Sequence, residues 1–134
     1  MSQVLAAASA AADAVRPVAL VSAPDAGISA GAGWFAALTA AAREAVPGAQ
    51  FLAVLDCGDD AGAAQAAIRA GIEAIVFTGP DSVVRRLGDI AAARGCRVLT
   101  ERPQPAHDLA ALFFADNDTL RRHCCDILAS LSTI

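Results

Sequence analysis

From Pro17 onward, short runs of aliphatic and β-branched residues alternate with longer stretches patterned at helical spacing. Residues 17–22 (PVALVS) form a continuous apolar run, the pattern of a strand buried on both faces. A glycine-bearing turn region, 23–33, leads to a helix over about 34–46, with Phe35, Leu38, Ala42, Ala45 and Val46 on one stripe and Pro47-Gly48 as its stop. Residues 51–55 (FLAVL) are the second strand, followed by Asp56-Cys57-Gly58-Asp59-Asp60. The second crossover helix covers 61–70 and ends at Gly71 in the left-handed position; Asp59 or Asp60 is read as its N-cap in preference to the alternative, a Mg²⁺ site on Asp56, Asp59 and Asp60 with Asp25 or Asp81.

Residues 74–77 (AIVF) give the third strand. A third helix opens at Gly79-Pro80-Asp81, turns Val83, Val84, Leu87, Ile90 and Ala91 inward and Arg85, Arg86 and Asp89 outward, and ends at Gly95. The fourth strand is 97–100 (RVLT). Beyond the proline-bearing loop RPQPAHD, periodicity leaves 109–115 (LAALFFA) open between a fifth strand and a helix. Over 118–131, Leu120, Cys124, Ile127, Leu128 and Leu131 recur at helical spacing behind a cap at Asp116, Asn117 or Asp118. Residues 1–15 read as an N-terminal alanine-rich helix, because they lack a basic n-region and Asp13 interrupts the apolar run.

Repeated strand–helix–strand units with short connections imply right-handed crossovers and a parallel sheet covered on both faces. The expected fold is a single α/β domain over 1–134: a three-layer αβα sandwich, flavodoxin-like or Rossmann-like, with four or five strands ordered 2-1-3-4-5.

In such a sheet, ligands bind beyond the carboxyl ends of the strands, where the strand order reverses. The rim then collects Ser22, Asp25 and Gly27 after the first strand, Asp56, Cys57, Asp59 and Asp60 after the second, Thr78 and Asp81 after the third, and Glu101 and Arg102 after the fourth. Trp34 opens the first crossover helix behind the glycines at 27, 31 and 33. That glycine cluster resembles an anion-binding loop but lacks the dinucleotide spacing.

Composition narrows the chemistry. All ten basic residues are arginine, so a Schiff-base lysine, a Walker lysine and the lysine of a receiver domain are excluded. The net charge of −4, with no arginine run interleaved with aromatics, argues against nucleic acid. No stretch of 18 apolar residues occurs, which argues against a membrane span.

The four cysteines, Cys57, Cys96, Cys124 and Cys125, form no C-x-x-C pair and are expected as reduced thiols in the cytoplasm. Consecutive positions His123, Cys124 and Cys125 point in different directions from a helix, so no metal site is assigned. Cys57, beside a helix N-terminus, is either an activated thiol or a small buried apolar side chain. His107 and Asp108 supply the imidazole for a thiol–imidazole pair only if the fold brings them to Cys57.

The strand VALVSAPD, the helix GWFAALTAAAREA, the unit LDCGDDAGAAQAAIRAGIEAIVFTGPDS and the segment RVLTERPQPAHDLAALFFADND together resemble the amino-terminal lobe of periplasmic-binding-protein-like sugar receptors, including the LacI-type repressor core. The resemblance implies sugar contacts from Trp34 or Phe35 and from Glu101 and Arg102. It covers one lobe, with no counterpart of the second lobe or of a DNA-binding helix-turn-helix. The phrase LDCGDDAGAAQAAIRAGI is also similar to small proteobacterial proteins, a likeness that carries no mechanism.

Three functions fit these residues. The first is a small-molecule-binding domain, pictured as a homodimer, holding a polar or anionic ligand through Ser22, Asp25, Trp34, Asp56, Cys57, Thr78, Glu101 and Arg102. The second is a protein-interaction or scaffold domain without a ligand. The third is a small enzyme using Asp56 or Cys57; no cofactor is specified.

Overall fold

The computed structural model describes residues 1–15, 17–104, 109 and 116–131, and for Leu131 the backbone only. The elements run α1 (Ser2–Ala14), β1 (Val18–Val21), α2 (Ala26–Ser29), α3 (Ala32–Ala45), β2 (Phe51–Asp56), α4 (Ala61–Arg69), β3 (Ala74–Val76), α5 (Asp81–Arg94), β4 (Arg97–Leu99) and α6 (Asn117–Leu131). The alternation in the sequence is therefore a real α/β alternation. The region 109–115 lies outside the described residues apart from Leu109. Among the described residues, no helix is long and apolar enough to cross a membrane.

The four strands form one parallel sheet in the order β1-β2-β3-β4. The Val18 and Ser22 N–H groups donate to the Gln50 and Val54 carbonyls, so β1 and β2 advance together. Val54, Leu55 and Asp56 align with Ala74, Ile75 and Val76, which align in turn with Arg97, Val98 and Leu99.

This order corrects the expected 2-1-3-4-5. The run PVALVS has the apolar continuity of a central strand, yet β1 is an outer strand of the described sheet: Val18, Leu20 and Val21 are only partly buried and Ala19 is exposed. Small and aliphatic residues suit an edge as well as a centre, and nothing local in the chain selects the neighbour. With no reversal of order among the described strands, the sheet also has no switch-point crevice there.

Both faces of the sheet are buried, as expected of the middle of three layers. Strand alternation puts Val54, Ala74 and Val76 on one face, with Val21, Leu52 and Leu99 packed against them. Ala53, Leu55 and Ile75 occupy the other face and are at most 2 % exposed.

The chain groups into two compact units: Val21–Ala37 with Leu52–Gln104, and Met1–Leu20 with Leu38–Phe51 and Pro105–Ile134. In the first, both crossovers step the same way, so right-handedness puts α4 and α5 on one face, where they pack on each other. The Asp60 carboxylate caps α4 by accepting from the Ala63 N–H at 2.9 Å. Gly71 (φ +81°) and Gly95 (φ +69°) follow α4 and α5 in the left-handed region that favours glycine. On α5, Leu87 and Ala91 are buried as the periodicity predicts, but Ile90 is 42 % exposed. Ile90 lies about 60° round the helix from Leu87, at the limit of the apolar stripe.

In the second unit, α1 packs along α6. Ala6, Ala10 and Ala11 meet Leu120, Cys124 and Leu128, with Ala7, Val18, Leu109 and Cys125 around them. Alanine lets the two helix backbones approach closely. An exposed Arg121–Asp13 ion pair joins the same helices. Asp116 caps α6: its carboxylate accepts from the Thr119 N–H, and that bond holds the Asp116 carboxyl below its ordinary range. Helix α1 ends on Val15, whose N–H bonds the Ala11 and Ala12 carbonyls at φ +51°. A β-branched residue is strained there.

Two stability outcomes follow. Ile75→Ala, at a fully buried position of β3, should cost about 2–5 kcal/mol in urea unfolding. Val15→Gly should stabilise the chain by up to about 1 kcal/mol, because Val15 is 89 % exposed and gives up strain rather than packing. A loss of stability in the second variant would show that Val15 does not carry that strain.

Candidate functional site

The carboxyl ends of β1 and β2 meet at one buried acid. Asp56, the last residue of β2, is 5 % exposed, and a buried carboxylate must be compensated by charge and hydrogen bonds. Its Oδ1 accepts from the Gly58 N–H at 2.9 Å and the Asp25 N–H at 3.3 Å. Its Oδ2 pairs with Arg102 Nη1 at 2.7 Å. Arg102 Nη2 donates to the Ser22 carbonyl at 2.9 Å. Ser22 Oγ accepts from the Asp56 N–H at 2.9 Å and donates to the Ala23 carbonyl at 3.0 Å. Thr78 joins through the backbone, its N–H donating to the Gly58 carbonyl.

The loop ends thus form one polar network built from Ser22, Asp25, Asp56, Gly58, Thr78 and Arg102. Within it the Asp56 carboxylate and the Ser22 hydroxyl are already satisfied. The Arg102 side chain remains about one-third exposed (34 %), and Thr78 is exposed.

Cys57 is fully buried beneath α2. Its Sγ lies 3.8 Å from the Leu55 carbonyl, to which it donates. A Cβ added to Gly27 would come within 2.9 Å of that sulfur, so glycine is what admits α2 so close. Burial above all, and then the neighbouring groups Asp56, Cys96 and Asp60, push the thiol up to about 12. Of the two alternatives for Cys57, activated thiol or buried apolar side chain, the geometry is that of the second.

Trp34 and Glu101 are exposed and, among the described residues, make no hydrogen bond to this network. Trp34, in the first turn of α3, stands half-exposed with its ring centroid 6.3 Å from that of Phe35. Phe35 is 4 % exposed, so of the two aromatic candidates only Trp34 presents a surface. His107 and Asp108 lie outside the described residues. Among the described residues no three His, Cys, Asp or Glu side chains gather as metal ligands.

The part of the site that sequence reasoning missed is Gly58. The spacing Asp56-Cys57-Gly58 contained the signal, since an aspartate commonly bonds the N–H two residues on in a turn. At φ +56° position 58 lies in the left-handed region that favours glycine, and a Cβ there would crowd the Asp25 carboxylate. Comparisons with protein families, curated proteins and solved structures find no match for the chain.

Two tests bear on this geometry. Asp56→Ala and Arg102→Ala should each destabilise by about 1–3 kcal/mol, and the double variant by at least about 1 kcal/mol less than their sum. Additive losses in urea unfolding would mean that the pair is not coupled.

The second concerns Cys57. With a folded value near 12 against an ordinary value of 9.0, its contribution to stability is intact below pH 9. It is lost as pH rises from 9 to 12, because only the unfolded thiol ionises in that window. Cys57→Ala should therefore lessen the alkaline loss of melting temperature, and iodoacetamide should reach Cys57 only in denaturant. Rapid native labelling of Cys57 would contradict its burial.

Proposed function

We propose that this chain binds a small polar or anionic molecule at the carboxyl edge of its sheet, with Arg102 as the principal contact. The observation that carries this reading is the partly exposed Arg102 guanidinium, fixed at the strand ends by Asp56 and the Ser22 carbonyl. A preset side chain loses little entropy on binding, and guanidinium suits carboxylate and phosphate groups. Thr78, joined to the network through its backbone, offers an exposed side-chain hydroxyl, and Trp34 an exposed ring for a sugar or base face. The resemblance to sugar receptors implies contacts from Trp34 or Phe35 and from Glu101 and Arg102, which includes both Trp34 and Arg102. Four free thiols are in keeping with a reducing, cytoplasmic setting.

An enzyme built on Cys57 or Asp56 has less support, because the thiol is buried and protonated and the carboxylate has its partners. A protein-interaction role is the second reading, favoured by the exposed Ile28 (47 %) and Trp34 (50 %).

The test is titration with inorganic phosphate, glucose 6-phosphate and citrate at millimolar concentration, read by Trp34 fluorescence and melting temperature. At least one should give a saturable rise in stability, about 2.7 kcal/mol at a hundredfold excess over Kd. Thr78→Ala should weaken that response while leaving the unliganded melting temperature unchanged, and Arg102→Lys should weaken it more. No response to any of the three anions, together with a dimer in light scattering, would favour the interaction reading instead.

A further inference from the structure

We draw no further inference here: the strongest candidate, the open groove between α1 and α6 lined by Ala10, Ala14, Val15, Cys125 and Leu128, is an unpartnered apolar face, and nothing in the structure shows what covers it.

Discussion

A carboxylate removed from water at the end of β2 dictates the local arrangement of several loops. Asp56 needs a cation and N–H donors, and it obtains them from separate parts of the chain: Asp25 after β1, Gly58 in its own turn, and Arg102 after β4. Arg102 in turn reaches the Ser22 carbonyl, so the ends of β1, β2 and β4 are joined through two side chains. Parallel strands leave their carboxyl ends without hairpin turns, and a polar knot of this kind gives those ends a fixed geometry.

The same compensation limits the chemistry available. A general base must reach substrate, whereas the Asp56 carboxylate is buried, with three of its roughly four acceptor positions taken by the Gly58 and Asp25 amides and the Arg102 guanidinium. A nucleophilic thiol needs access and a lowered pKa, whereas Cys57 is sealed under α2 and held protonated by its surroundings. Of the candidate residues, Asp25, Trp34, Thr78 and Glu101 face solvent and Arg102 does so in part. That contrast is why we propose a binding role built on Arg102 rather than an enzyme built on Asp56 or Cys57.

Glycine does different work at two positions around the knot. At Gly27 the missing side chain makes room for the Cys57 sulfur, whereas at Gly58 the backbone itself turns left-handed and Asp25 fills the space above it. The turn at Asp25 is also left-handed, a conformation aspartate tolerates better than most residues. Helix α2 is the product of these local choices, a single short turn in a stretch whose glycines suggested only a loop.

Hydrophobic periodicity and capping chemistry act over a few residues, and they were legible. The sequence by itself determined the four strands, the crossover helices and the glycine stops at 71 and 95, and narrowed the caps of α4 and α6 to two and three residues, because each depends on neighbours within one or two turns. Strand direction, which follows from the alternation, also brought Ser22, Asp25, Asp56, Thr78 and Arg102 to the carboxyl ends. Tertiary structure alone decided that β1 lies outside β2, that Asp56 takes Arg102 forty-six residues away, and that Cys57 is buried rather than poised. Those outcomes depend on lateral strand pairing and on solvent exclusion, and neither leaves a periodic trace in a single chain.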